Sequence, residues 1–241
     1  MTRTASYQAL VLRVRPSGEH REAEFLSSEE GIIRATVFGG PKSHLRSHVA
    51  PFHSGTLWIY RDPVKDTRRV NDFDVVSWRP GLRELYERAG TASAIAGLVL
   101  ESRGGGGAFA QASELVRESL DALESADEAC CPRLLVSFMW NWAGLLGQKP
   151  SLERCSSCAC EPRGDEVLWF IREEGLLCDN CIRRALGQGG YTGLMLGPGA
   201  RRWLRAVEGR PPACVFRTSL DAPSLAEAEA LVRALLGLPG A

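Results

Sequence analysis

Two cysteine pairs, Cys155-Ser156-Ser157-Cys158 and Cys178-Asp179-Asn180-Cys181, constrain this chain more than any other stretch. Nineteen residues separate Cys158 from Cys178, which fits the C-x2-C-x15–20-C-x2-C spacing of tetrahedral metal sites. A CxxC turn aims two sulfurs the same way, and a hairpin between the pairs brings the second opposite the first. Four thiolates then enclose a Zn²⁺ ion and leave no position open to substrate, so the expected role is structural. Glu166 to Ile171 reads as a strand, Arg172 to Gly175 as a turn, and Leu176-Leu177 as the return into Cys178. Cys160, two residues past Cys158, is a fifth candidate ligand. The competing reading, a thioredoxin-like dithiol, requires a nearby βαβ pattern, and none is visible.

The 241 residues suffice for two small domains or one with an insertion. Formal net charge is zero, so global basicity does not announce a nucleic-acid partner. Residues 1–80 carry 12 Lys/Arg against 9 Asp/Glu, and residues 81–150 carry 6 against 9. Any basic face therefore belongs to the N-terminal part. The apolar stretch from Tyr7 to Val14 is short and interrupted by Gln8 and Arg13, unlike a secretory signal. No run of about 18 apolar residues predicts a membrane span. Eight cysteines, four of them in metal spacing, suit a reducing compartment. The expectation is a cytoplasmic protein with no membrane association.

Strand-rich segments dominate the start: Tyr7–Val14, Ala23–Ser27, Ile32–Phe38, Thr56–Tyr60 and Val70–Val76. A helical turn fits between Lys42 and Val49. Five short strands interrupted after the third predict a small barrel of the OB-fold type. After Pro80 the period changes. Apolar residues at three- and four-residue intervals mark one helix through Leu82, Leu85, Ile95 and Val99, and a second from Phe109 to Leu123. A third, broad and aromatic, runs from Leu134 to Leu146, with Pro132 in its first turn. The run Gly104–Gly107 must separate the first two. Trp203, Leu204 and Val207 mark a later helix. Ser224 and Glu227 read as a capping box for Leu225–Leu236, with Gly237 as its stop. The predicted class is α+β: an N-terminal OB-fold-like β-barrel (1–80), then an α-helical domain (81–150 and 186–241) with an inserted four-cysteine zinc module (151–185).

The run from Leu134 through Gly147-Gln148-Lys149-Pro150 into Cys155 resembles the RecO family of bacterial recombination mediators, in which an apolar helix enters a Gly-x-x-Pro segment before the first zinc CxxC. Ala9-Leu10-Val11-Leu12, Ser17-Gly18-Glu19, Glu30-Gly31-Ile32-Ile33 and Gly39-Gly40-Pro41-Lys42-Ser43 are similar to that family's opening strands and Gly-rich turn. The likeness covers essentially the whole chain in order. It implies a non-enzymatic protein that binds single-stranded DNA, anneals complementary strands, and works with RecR to load RecA on strands coated by single-strand binding protein. Three departures stand out. Ala159 and Cys160 follow Cys158 where the family usually has Gly, the turn at residues 39–45 carries one lysine, and the chain ends soon after Gly237, so a shortened C-terminal tail is expected.

Strand binding needs cations along the phosphates and flat side chains for base stacking. With the resemblance added, Arg34, Lys42, Arg46, Arg68 and Arg69 are the candidate DNA contacts, beside Lys65, with Phe38, Trp58 and Tyr60 as platforms. Arg183, Arg184, Arg201, Arg202 and Arg205 form a second basic set near the metal module; it either extends the track or caps helix ends. No phosphate-binding G-x-x-x-x-G-K-[ST] loop, H-E-x-x-H or G-x-S-x-G motif occurs, and Gly187–Gly193 misses G-x-G-x-x-G by one residue. His20, His44, His48 and His53 read as loop or surface residues. Two readings compete with the strand-binding mediator: a zinc-containing protein–protein adaptor, and a thiol redox protein.

Overall fold

A computed structural model describes residues 4–39, 43–62, 64, 67–172, 174–186 and 193–239. Contacts divide the chain into two compact units, Met1–Cys131 and Pro132–Ala241.

In the first unit alternation of side chains builds a barrel. Five strands, β1 (Thr4–Ser17), β2 (His20–Ser27), β3 (Gly31–Val37), β4 (Ser54–Asp62) and β5 (Thr67–Ser77), close in the order β1-β2-β3-β5-β4. The parallel closure of β3 onto β5, with Thr36 opposite Arg69, joins two antiparallel sets. That is the five-stranded Greek-key barrel of the OB type. Strand β1 serves two partners, β4 through its first half and β2 through its second, and a register shift between Val11 and Arg13 bends it to do so. Ile33, Ala35 and Val37 point inward from β3, meeting Val11, Phe25, Leu57, Ile59, Val70 and Phe73. The short helix α1 (His44–His48) fills the interval between β3 and β4 and drops Leu45 into this core.

Both faces of β2 are buried from Ala23 to Ser27, unlike a one-sided strand. The reason is a helical pair packed outside the barrel, α2 (Tyr86–Glu101) and α3 (Phe109–Glu124). A side chain built on Gly104 would meet Ile32 and Leu26, and one on Gly31 would strike the Phe109 ring. The α2–α3 loop thus lies directly on β2–β3. It holds five successive positive φ angles, from Arg103 at 53° to Gly107 at 111°. Four of the five are glycines, for which that region carries no Cβ penalty. Leu82 belongs to a separate 3₁₀ turn, Pro80–Arg83, rather than to the first predicted helix; Arg79, at φ 44°, breaks the backbone path before it.

The second unit is built on α4 (Cys131–Leu145), whose Phe138, Trp140 and Trp142 are fully buried. A small antiparallel sheet in the order β7-β6-β8 joins β6 (Leu168–Ile171), β7 (Gly175–Leu177) and β8 (Leu194–Leu196). Helices α5 (Asp179–Leu186), α6 (Pro198–Val207) and α7 (Ala222–Leu235) complete it. Strand β8 has no counterpart in the sequence pattern, because three residues are too few to show alternation. The capping box is corrected too. Asp221 is the N-cap of α7, accepting from the Ser224 N–H at 2.9 Å and the Ser224 hydroxyl at 2.9 Å. Glu227 instead accepts from the Gly197 N–H ahead of α6. Gly237, at φ 66°, stops α7 as expected. No helix among the described residues is long and apolar enough to cross a membrane.

Candidate metal centre and nucleic-acid surface

The β6–β7 hairpin sets the two cysteine pairs face to face. Cys155, Cys158, Cys178 and Cys181 each offer a sulfur, and the four lie within 4.8 Å of one another. Sγ of Cys158 and Sγ of Cys178 are 3.8 Å apart. Zinc–sulfur bonds of about 2.3 Å in a tetrahedron put the sulfurs on the order of 3.8 Å apart, so the cluster has the size and donor set of a closed four-thiolate site. It is capable of coordinating a metal ion. Among the described residues no second group of His, Cys, Asp or Glu has that arrangement.

Local hydrogen bonds preorganise it. The Cys178 N–H donates to the Cys155 sulfur at 3.3 Å, and the Cys155 N–H to the Cys160 carbonyl at 3.0 Å. The Ser156 N–H and hydroxyl both engage Leu176, tying the first turn to β7. Cys160 lies outside the tetrad, and its carbonyl accepts the Cys155 N–H in the turn. Ala159 takes φ 58°, so it adopts the left-handed conformation that a glycine would supply there at lower cost. Cys155, Cys178 and Cys181 are buried, whereas Cys158 is at the surface. The backbone N–H of Cys160 and the neighbouring thiols bring Cys158 down to about 6. Burial pushes Cys178 up to about 12. Burial raises Cys181, in the first turn of α5, as well.

On the barrel, Arg34 projects outward from β3 and its Nε donates to Glu24 at 3.0 Å. Glu24 is held from the other side by Arg13 at 2.6 Å. Burial alone would raise the Glu24 carboxyl; the hydrogen bonds and charges of Arg13 and then Arg34 carry it below its ordinary value. Arg68 reaches Glu30 at 2.9 Å. Arg69 lies over the Tyr60 ring, 4.4 Å from its centroid, a cation–π pair. Arg46 sits in the last turn of α1. Lys42 and Lys65 lie outside the described residues, as does most of the Gly187–Gly193 stretch. Trp58 and Tyr60 point outward, half-buried, while Leu57 and Ile59 fill the core. Phe38 is exposed against His20, 4.3 Å between rings.

Arg34 and Arg68 come together in one cleft of about 640 Å³, lined also by Arg61, Arg103, Glu30, Ile32, Leu100 and Phe109. Arg46 and Arg69 do not line it. Arg61 and Arg103 were not among the candidates read from sequence. Arg61 is legible only through pairing, because β4–β5 sets it opposite Arg68; Arg103 precedes the glycine run that folds back on the barrel. The second basic set is largely engaged in structure. Arg201 is buried and donates to the carbonyls of Arg163 and Gly164 in the metal module. Arg205 pairs with Glu153 and Arg183 with Asp179. His53 is buried rather than superficial, its Nδ1 at 2.9 Å from the His48 carbonyl. Burial, with Arg83 and Arg79 nearby, lowers its pKa despite that bond.

A family model described as "Recombination protein O C terminal" matches residues 83–237. "DNA repair protein RecO" of Pelotomaculum thermopropionicum is 36% identical over 178 residues, covering 72% of this chain and 67% of that protein. The protein of the same description from Solidesulfovibrio magneticus is 28% identical over 86% of this chain and 83% of its own length. That from Maridesulfovibrio salexigens is 26% identical, covering 82% of this chain and 78% of that one.

Proposed function

Because the chain belongs to the RecO family of DNA repair proteins, non-enzymatic mediators of repair and recombination, we propose that it binds single-stranded DNA. On this reading it anneals complementary strands and, with RecR, helps load RecA on strands coated by single-strand binding protein. The barrel of residues 1–80 is the strand-binding part. Residues 81–150 and 186–241 form the helical domain, and 151–185 the module that holds one structural Zn²⁺ on Cys155, Cys158, Cys178 and Cys181. Contact to the phosphates falls to Arg34, Lys42, Arg46, Arg68 and Arg69, in the cytoplasm. The observation that carries the reading is a closed OB-type barrel with arginines gathered on its outer surface beside out-turned aromatic rings. Such a surface offers the guanidinium forks and stacking faces that a single strand requires.

Fluorescence anisotropy with a labelled single strand across a salt series, on protein of assayed zinc content, tests it. Binding should weaken steeply with salt, because each neutralised phosphate contributes about −0.7 to the slope of log K against log salt. Removing the charges of Lys42, Arg46, Arg68 and Arg69 together should weaken binding without unfolding the chain. Absence of binding at low salt by the zinc-replete protein would replace this reading with the protein–protein adaptor.

A further inference from the structure

The metal module carries five cysteines, and the tetrad leaves Cys160 over. The chain nevertheless folds it back onto the site. The Cys155 N–H donates to the Cys160 carbonyl at 3.0 Å, the Ala159 N–H donates to the Cys155 carbonyl at 2.9 Å, and Ala159 bends left-handed at φ 58°. An extended stretch would hold residues two apart roughly 7 Å from each other, beyond the ~4.4–6.8 Å between Cα atoms that a disulfide accepts. The bend at Ala159 shortens that span, and the Cys158 and Cys160 sulfurs share a hydrogen bond. Exposure singles out the same two residues. Cys155, Cys178 and Cys181 are 2%, 6% and 5% exposed, whereas Cys158 and Cys160 both lie at the surface. An oxidant arriving from solvent meets one ligand and one non-ligand, side by side.

We propose that Cys158 and Cys160 form a hydroperoxide-responsive pair: Cys158 is oxidised first, Cys160 resolves it to a disulfide, and the module, short of one ligand, releases its metal. The inference rests on the four-thiolate reading of the module. In the first step the Cys158 thiolate attacks a peroxide oxygen; an S–O bond forms, the O–O bond breaks, and hydroxide or alkoxide leaves. In the second the Cys160 sulfur attacks the Cys158 sulfur; an S–S bond forms, the S–O bond breaks, and the departing hydroxide takes the Cys160 proton away as water. The two sulfurs together lose two electrons, and the hydroperoxide gains them. An accessible thiol beside a resolving thiol stops at the reversible disulfide, ahead of sulfinic acid. Pairing Cys158 with Cys160 withdraws a single donor from a site that needs four. The other three stay held by the β6–β7 hairpin, with the Cys178 N–H on the Cys155 sulfur at 3.3 Å. Reduction by a dithiol then returns the fourth sulfur to a site still assembled. A Cys155–Cys158 bridge would withdraw two donors, and a buried sulfur would have to resolve it.

The test uses the full chain with its zinc content assayed, hydrogen peroxide as the oxidant, and a metallochromic dye to follow released zinc. Alkylation of the remaining thiols and fragmentation of the tryptic peptide from Cys155 to Arg163 then locate the bridge. Cys160→Ser and Cys160→Ala serve as variants. The wild type should release zinc, carry a Cys158–Cys160 disulfide with Cys155 alkylated, and regain its zinc after dithiothreitol. Both variants should hold as much zinc as the wild type before oxidation. After it they should lose the recovery, because Cys158 without its partner runs on to sulfinic acid, which thiols do not reduce. A wild-type bridge between Cys155 and Cys158, or between Cys178 and Cys181, with Cys160 still open to alkylation overturns the inference. So do variants that recover zinc as fully as the wild type. Variants that hold less zinc before oxidation would make Cys160 a ligand, and the inference fails that way too. A wild type that binds no zinc at all overturns the four-thiolate reading itself, and this inference falls with it.

Discussion

Replacing Arg79 with methionine should destabilise the first unit by about 3 kcal/mol, far more than its one visible ion pair suggests. The Arg79 side chain is 2% exposed, whereas its partner Asp121 on α3 is 56% exposed. The Nε–Asp121 contact of 2.6 Å therefore contributes at most ~1 kcal/mol, since solvent screens the carboxylate. The larger share comes from Nη1, which donates to the Phe52 carbonyl at 2.7 Å and the Ser54 hydroxyl at 3.1 Å. Hydrogen bonds from a charged donor contribute about 1.5–3 kcal/mol each, and a carbonyl left unpaired costs about 1–3 kcal/mol more. Relief from burying a guanidinium offsets part of that, of order several kcal/mol. Methionine keeps the apolar stem, so the remainder is polar. Both Phe52 and Arg79 hold positive φ, 73° and 44°, and the guanidinium locks these two strained turns together. A loss of this size shifts the midpoint of a unit of this length by roughly 10 °C. Thermal melts give the total, and hydrogen exchange over β4 and α3 localises it. Asp121→Asn should cost less than ~1 kcal/mol by the same screening argument. If Asp121→Asn costs as much as Arg79→Met, the ion pair carries the junction and the reasoning is refuted.

Cys178→Ser should abolish zinc retention and loosen the second unit while the barrel melts as before, because a structural zinc site contributes on the order of 10 kcal/mol to folding; atomic absorption and exchange of β6–β7 amides report it. A variant with full metal content would contradict the tetrad. Ala159→Gly should stabilise the module by about 0.5–1 kcal/mol, relieving a left-handed alanine at some cost in unfolded-state entropy. Ala159→Val should do the reverse, measured as zinc loss to a competing chelator. Glu24 is expected to make the barrel acid-sensitive. Its folded pKa lies below the unfolded value of 4.5, so its stabilisation is present above that pH and is lost as pH falls through the folded pKa. Melting temperature plotted against pH should therefore drop more steeply in acid for the wild type than for Glu24→Gln. Parallel curves would remove Glu24 from the account.

Several features of this protein were determined by local sequence alone. CxxC spacing fixes which sulfurs can meet, because turn geometry and the length of an intervening hairpin act over a few residues. The five strand segments and the order barrel, helices, metal module, helices were legible for the same reason: alternation and the 3.6-residue period are local signals. Tertiary structure decided what depends on partners distant in sequence. Asp221 rather than Ser224 caps α7, since the helix begins at Ala222 and Glu227 is drawn to Gly197. In sequence Arg201 belongs to a second basic set that either extends the DNA track or caps helix ends, yet packing buries it against the metal-module carbonyls. The cleft is the clearest case. Arg34, Arg61, Arg68 and Arg103 span three strands and a helix end, and no window of sequence holds them together. Barrel closure and a glycine run able to lie flat on β2–β3 bring them to one place, and long-range packing of that kind leaves no periodicity to read.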